Sequence, residues 1–199
     1  MTRRFLCLTT CLFLLFLLPV YAQQPQPPSN GTFTTHIGDR LVMTESYRVT
    51  SRPDGSMPAE AELMPAGAGP KQKFVTLALK TRPESFSVDV GGVKALEGKF
   101  GNGVVKLNAA GQPEREVRTK ATMVLENLVW HQFIFLLGQY DHAQGGRQNF
   151  TAFLPSQGVE YPISLEYVSA QTYTLKNRAT MVATRRYKMV AAGALVLDL

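Results

Sequence analysis

The sequence predicts a mainly β (α+β) fold in which a curved antiparallel sheet or half-barrel encloses one apolar helix at about residues 123–144. Residues 85–90 (SFSVDV) and 161–167 (YPISLEY) each place an apolar side chain at every second position, which predicts strands. Such one-sided stripes are typical of an antiparallel sheet with one buried face and one solvated face. Turn residues separate these segments at short intervals, and one longer stretch has helical periodicity instead.

The N-terminal segment, residues 1–22, has the pattern of a secretory signal peptide. Arg3 and Arg4 precede an apolar run at 11–20 (CLFLLFLLPV), and the segment ends at Ala22 with residues suitable for cleavage. The run is shorter than the roughly 20 apolar residues of a membrane span, so we expect no transmembrane segment after signal removal. The two arginines also fit a twin-arginine signal, although the Leu-rich run favours the general secretory route. We therefore expect a protein that is periplasmic or extracellular in a bacterium.

After the signal, residues 23–31 (QQPQPPSNG) are predicted to be a Pro/Gln-rich flexible leader, and residues 32–199 a single β-rich domain. Both cysteines, Cys7 and Cys11, lie in the signal, so we expect neither a disulfide nor a thiolate site in the domain. A domain of this length can form a hydrophobic core without disulfides.

The formal net charge is +6, and the basic residues are dispersed apart from a cluster at 185–188 (RRYK). On a strand those side chains alternate between the two faces, so they do not form the contiguous basic patch of a nucleic-acid-binding protein. We predict no nucleic-acid binding, while a mild attraction to anionic surfaces remains compatible with the charge.

The predicted strands follow one another along the chain, with the helix inserted before the last group. Turn signals such as Pro53-Asp54-Gly55 and Gly91-Gly92 separate them. The chain stops inside an apolar strand, so either that strand is the native end, or the sequence is shortened and a sheet edge is left open. The predicted strands are 32–37, 40–50, 59–64, 73–80, 85–90, 104–107, 148–154, 160–169, 173–175, 180–190 and 194–199.

The predicted helix at 123–144 is unusually apolar. When its residues are placed about 100° apart, apolar side chains cover most of the circumference, which is wider than the stripe of an ordinary surface helix. We therefore expect the helix to be covered on more than one side. Thr122 is the predicted N-cap, Glu126 an acid favoured by the helix dipole, and Gly145-Gly146 the stop signal.

Two interpretations of this helix remain open. In the first, it closes the curved sheet completely and belongs to a packed core. In the second, a gap between helix and sheet holds a lipid-like apolar ligand, because ligand pockets are mostly hydrophobic with few polar groups. The second interpretation predicts a cavity wall formed by Trp130, His131, Phe133, Ile134, Phe135 and Leu137.

Four short segments carry a resemblance to known proteins. Residues 127–131 (NLVWH), 140–141 (YD), 145–146 (GG) and 150–155 (FTAFLP) resemble a family of uncharacterised secreted bacterial β-rich proteins. More distantly, the order of strands, plugging helix and strands is similar to the half-barrels of bacterial lipoprotein-localisation carriers. That resemblance implies a curved antiparallel sheet with an apolar cavity that binds acyl chains and performs no chemistry, although a shared fold does not establish a function.

Catalytic candidates are few. His131 and His142 are eleven residues apart, which on one helix separates them by about 16 Å, too far to bind one metal together. Asp141 is more typical of a turn or a salt bridge, and no G-x-S-x-G motif occurs. We predict no catalytic residue, no metal and no cofactor. Convergence of His131 with Glu45 or His36 would instead support an enzyme.

Glu45 interrupts an apolar strand face, where an unpaired acid would be costly. Either it lies near a sheet edge or pairs with an arginine, or it faces a ligand.

Three functional hypotheses follow, in order of preference. The first is an exported, non-catalytic binding or scaffolding protein, with a lipid or other apolar small molecule as its partner. The second is an interaction module of the cell envelope that has a fully packed core and meets other envelope proteins through a sheet edge. The third, least favoured, is a His-dependent enzyme.

Overall fold

The structure is a computed structural model, and the predicted signal peptide and most of the predicted leader lie outside the residues it describes. The first strand begins at Asn30, so the last two residues assigned to the leader belong to the sheet, because they pair with the neighbouring strand. Only the backbone is described at positions 195, 196 and 198. The described residues are 30–79, 82–174, 181–191 and 195–199.

Eight strands form the first sheet, an antiparallel meander in which every strand pairs with its neighbour in sequence. Tight turns make this possible: Asn102 and Gly103 both have positive φ, the requirement of a two-residue hairpin loop with the correct twist. The strands are β1 (Asn30–Ile37), β2 (Arg40–Val49), β3 (Ser56–Pro65), β4 (Gln72–Leu79), β5 (Arg82–Val90), β6 (Val93–Gly101), β7 (Val104–Ala109) and β8 (Arg115–Arg118).

Two of these strands, β6 and β8, were not predicted. In β6 the apolar alternation is interrupted by Gly98, where a Cβ atom would meet the ring of Phe86 at 2.1 Å. The glycine is therefore required for the close approach of a buried aromatic ring on β5, and it removes the apolar signal from the sequence. Only Val117 of the four residues in β8 is partly buried, so β8 has almost no apolar pattern.

Five strands form the second sheet, which is a half-barrel. All pairs are antiparallel except β9 with β10, and β11 is one strand of 16 residues where the sequence predicted two. A β-bulge between Tyr167 and Ser169 lets β11 continue past the interruption of its alternation. The strands are β9 (Met123–Val124), β10 (Arg147–Leu154), β11 (Val159–Thr174), β12 (Met181–Ala191) and β13 (Leu195–Asp198).

A single helix within the described residues, α1 (Gln132–Gln139), lies between the two sheets. Phe135 and Ile134 pack into the hydrophobic cluster of the first sheet, whereas Leu136 and Phe133 pack into the cluster of the second. The predicted coverage of the helix on more than one side is therefore confirmed, and so is the mainly β fold class with a half-barrel.

The predicted length of the helix, 123–144, is wrong. Met123 and Val124 form β9, and Leu128 has φ +61, a left-handed conformation that an α-helix of L-residues does not accommodate. At the other end Tyr140 is extended, with ψ 121, so the helix stops well before the two glycines. Burial by two sheets makes the extended flanks as apolar as the helix, which is why the pattern could not separate them.

The predicted capping of this segment is also wrong. The backbone N–H of Thr122 donates to the carbonyl of Thr151 at 2.9 Å, so Thr122 belongs to the sheet edge. Gly145 and Gly146 both have positive φ and form the turn that leads into β10. Glu126 lies before the helix, and its carboxylate accepts hydrogen bonds from Ser156.

Candidate apolar binding site

The helix is capped at its N-terminus by a residue of the first sheet. His131 is in the N-cap position but makes no side-chain cap. Instead, Glu45 of β2 accepts a hydrogen bond from the Trp130 N–H at 2.5 Å, from the His131 N–H at 2.9 Å and from His131 Nδ1 at 2.7 Å. A carboxylate at this end satisfies amides that have no partner within the helix and opposes the positive end of the helix dipole.

This position corrects the prediction for Glu45. Its side chain is 1% exposed on β2, which pairs with β1 on one side and β3 on the other, so it does not lie at a sheet edge, and its partner is His131 rather than an arginine. A buried carboxylate with three donors is tolerated because its charge is compensated by hydrogen bonds. Its role in the structure is to fix the start of α1 against the first sheet.

His131 and Glu45 do come together, with His131 Nδ1 2.7 Å from Glu45 Oε1, and this is the contact that was expected to support an enzyme. The pair is closed to solvent, however, because the side chains of His131 and Glu45 are 0% and 1% exposed. A general base must reach the proton that it abstracts. The arrangement therefore has the geometry of a cap and not of an accessible acid–base pair.

The other two histidines are elsewhere. His36 is exposed on β1. His142 lies beside the second sheet, where Arg185 Nη1 and Tyr187 Oη approach its Nε2 at 2.9 and 3.0 Å. Burial lowers the pKa of His142, the Arg185 charge adds to this effect, and Asp141 opposes it. In the described ranges, no three His, Cys, Asp or Glu residues are grouped so that they could hold a metal.

An apolar cavity of about 470 Å³ opens where α1 begins. One wall is formed by Trp130 and Phe133, whose ring centroids are 5.6 Å apart. The indole N–H of Trp130 donates to Thr35 Oγ1 at 2.7 Å, which fixes the ring against β1. The opposite wall is formed by residues of β10 to β13 in the second sheet. We call this cavity the Trp130 cleft, and its other apolar lining residues include Leu125, Leu128, Val159, Met189 and Leu197.

Few polar groups line the Trp130 cleft, and one of them is the hydroxyl of Tyr161. Burial raises the pKa of Tyr161 to about 12, and the nearby charge of Glu126 acts in the same direction. The phenol is therefore neutral at physiological pH. Glu126 is the one charged residue among the described residues that line the cleft, and its carboxylate accepts hydrogen bonds from the Ser156 N–H at 2.7 Å and Oγ at 2.9 Å.

A larger depression of about 640 Å³ lies at the end of the first sheet, around Arg82, Glu84 and Lys99. It is lined by charges of both signs and by the loop at Asn102. Because it lacks the apolar enclosure that ligand sites usually have, its size alone does not make it the better candidate.

Of the six residues predicted to form a cavity wall, Trp130 and Phe133 line the cleft. The other four are in the core: Ile134 and Phe135 in the first cluster, Leu137 in the second, and His131 against Glu45. The lining residues contributed by the half-barrel, such as Tyr161 and Met189, were not predicted. The apolar stripe of β11 that includes Tyr161 was recognised in the sequence. Which end of this stripe faces the cleft depends on where α1 begins, and the sequence did not predict that position.

No family model and no curated protein matches the chain. Among solved structures, the chain is similar to the beta-barrel-like protein of Domain of Unknown Function DUF1849 from Brucella abortus, with 10% identity and a TM-score of 0.47 over 81% of this chain and 76% of that chain. The described part of the chain contains no helix with the length and hydrophobicity needed to cross a membrane.

Proposed function

We propose that the protein is an exported, non-catalytic binding protein that holds an uncharged, lipid-like ligand in the Trp130 cleft. The cleft itself is the observation that carries this proposal. Its volume of about 470 Å³ is in the range of small-molecule sites, about 300–1,000 Å³, and its walls are aromatic and aliphatic. A fully packed interaction module would not need such an opening beside its only tryptophan.

The lining of the cleft selects the chemistry of the ligand. Glu126 contributes a negative charge, and no Lys, Arg or His is among the described lining residues. A fatty acid with an ionised carboxylate would therefore meet a like charge without a compensating cation, which opposes binding. An acyl chain with a neutral polar group, such as a monoacylglycerol, avoids this repulsion. Its hydroxyl can donate a hydrogen bond to the Tyr161 oxygen, whose own proton is directed to the Leu125 carbonyl at 3.4 Å.

Export is the second part of the proposal, and it rests on the basic start and apolar run of residues 1–22. The mass of the protein recovered from the periplasm or medium of a bacterial host tests it. We expect the mass of a chain that begins at Gln23, whereas the full-length mass in the cytoplasm would contradict export.

Binding to the cleft can be tested with 1-N-phenylnaphthylamine, an uncharged apolar dye that becomes fluorescent in apolar surroundings. Val159→Asp introduces a charge at the mouth of the cleft, at a residue that is already 44% exposed. Val93→Asp is the matched control, because Val93 is 67% exposed on the first sheet, away from the cleft. We expect Val159→Asp to weaken dye binding about tenfold or more, since a charge is costly beside an apolar ligand.

The same assay separates the ligand classes. Monoolein should displace the dye from the wild-type protein at lower concentration than oleate, because only oleate carries the repelled carboxylate. Equal loss of dye binding in Val159→Asp and Val93→Asp, or no binding by the wild type, would contradict a site in the cleft. The latter result would favour an envelope interaction module with a closed core.

A further inference from the structure

The strands β11 and β12 extend beyond the rest of their sheet. Pairing of β10 with β11 ends at Glu166, and β13 pairs with β12 only from Tyr187 onwards. Residues 169–174 and 181–186 therefore pair only with each other among the described residues. We call these two segments the β11–β12 arm. A two-stranded ribbon has little stability of its own, so a surface that covers it would stabilise it.

Apolar side chains are exposed on this arm. Tyr173 is 55% exposed, and its direct cross-strand partner Val182 is 36% exposed, so the two lie side by side on one face. Met181 on the opposite face is 70% exposed. These residues are at the end of the arm that is farthest from Tyr187, and they belong to neither hydrophobic cluster of the described residues.

The charge of the arm has one sign. Residues 169–174 and 181–186 contain two arginines, Arg185 and Arg186, and no Asp or Glu, in a chain whose formal net charge is +6. The guanidinium of Arg185 contacts His142 rather than a carboxylate.

We infer that the β11–β12 arm docks on an anionic lipid membrane surface. Basic residues are attracted to anionic headgroups, and tyrosine with small apolar neighbours is suited to the boundary between headgroups and acyl chains. A second copy of the chain is a poorer occupant, because edge pairing would bring arms of the same positive charge together. The inference does not depend on a ligand in the Trp130 cleft.

The arm and the Trp130 cleft are separated along the same strand. Tyr161 in the cleft and Tyr173 on the arm are twelve residues apart in β11, which corresponds to about 40 Å of extended strand. Substitutions on the arm should therefore leave the cleft intact. Circular dichroism and the urea midpoint then report the fold of each arm variant.

The experiment is co-sedimentation of the chain that begins at Gln23 with vesicles of phosphatidylcholine alone or mixed with phosphatidylglycerol. We expect binding to the mixed vesicles, little binding to the neutral ones, and loss of binding in high salt. No binding to mixed vesicles, or equal binding to both compositions, would overturn the inference.

Variants locate the contact. The double variant Tyr173→Ser/Met181→Ser should lower the affinity for mixed vesicles about tenfold or more. Ile37→Ser/Val93→Ser is the matched control, because those side chains are 74% and 67% exposed on the first sheet, and it should bind as the wild type does. Equal affinities of the two double variants would overturn the assignment to the arm.

The charge of the arm is tested by Arg185→Gln/Arg186→Gln, for which we expect a loss of about tenfold or more and a weaker dependence on salt. The matched control is Lys71→Gln/Lys73→Gln, which removes two positive charges from the first-sheet region, outside the arm. Sedimentation velocity of the free protein completes the set. If the free protein is a dimer and the arm variants are monomers, the arm binds a second copy of the chain and not a membrane, and the inference is overturned.

Discussion

Replacing Glu45 by Gln tests how the helix is held against the first sheet. The wild-type carboxylate accepts three hydrogen bonds, two at Oε1 from His131 and one at Oε2 from the Trp130 N–H. Gln has nearly the same shape but only one acceptor oxygen. When that oxygen occupies the Oε1 position, the amide NH₂ group faces the N–H of Trp130, so one buried amide loses its acceptor.

The magnitude follows from these contacts. The lost hydrogen bond to a charged group contributes about 1.5–3 kcal/mol, and the two that remain become weaker neutral bonds. Relief of the desolvation cost of the buried carboxylate offsets part of this loss. We expect Glu45→Gln to lower the free energy of unfolding by about 2–4 kcal/mol, which for a domain of this size lowers the melting temperature by roughly 10 °C.

Urea denaturation measures this change as a lower midpoint with an unchanged slope. The control is Glu62→Gln, because Glu62 is exposed and its bridge to Lys71 at 2.7 Å should contribute no more than about 1 kcal/mol. A Glu45→Gln protein as stable as Glu62→Gln, or more stable than the wild type, would refute the account of the cap.

Three further predictions follow from single positions. Gly98→Ala should destabilise the fold by about 1–3 kcal/mol in urea, because its Cβ would overlap the Phe86 ring, whereas Gly101→Ala, with open space around it, should not. The pKa of Tyr161 is raised to about 12, so the contribution of the neutral phenol to stability is present below pH 10 and is lost as the pH rises towards 12. Over this interval the wild type should lose stability more steeply than Tyr161→Phe. Burial lowers the pKa of His142 below its usual 6.5, so the contribution of the neutral ring to stability is present above pH 6.5 and is lost as the pH falls through the folded pKa. An NMR titration of the His142 ring with a midpoint above 6.5 would contradict the burial of this ring beside Arg185.

Much of the fold could be predicted from local patterns. The stripes in β5 and β11 identify strands because alternation reports one buried face directly. The pattern fails in β6, where the space beside Gly98 is filled by the Phe86 ring from β5. A contact between strands is needed to explain that glycine, and a single segment does not encode it.

The helix and its site show a second limit. Apolar periodicity around Trp130 identified a segment covered on several sides, but it could not distinguish a long helix from a short helix with buried extended flanks. The boundary is fixed by the left-handed backbone of Leu128 and by the cap from Glu45, which is 86 residues before His131. For the same reason the sequence identified one wall of the cleft and missed the opposite wall, which depends on the register of β10 to β13.

Native mass spectrometry of the protein purified from an exporting bacterial host, followed by extraction with organic solvent, tests the central claim most directly. We expect a population heavier than the chain that begins at Gln23, which loses its extra mass on extraction and releases an uncharged lipid-like molecule. The Val159→Asp protein should carry less of this molecule than Val93→Asp. A protein of the bare chain mass that also fails to take up monoolein would contradict the claim that the Trp130 cleft is a binding site.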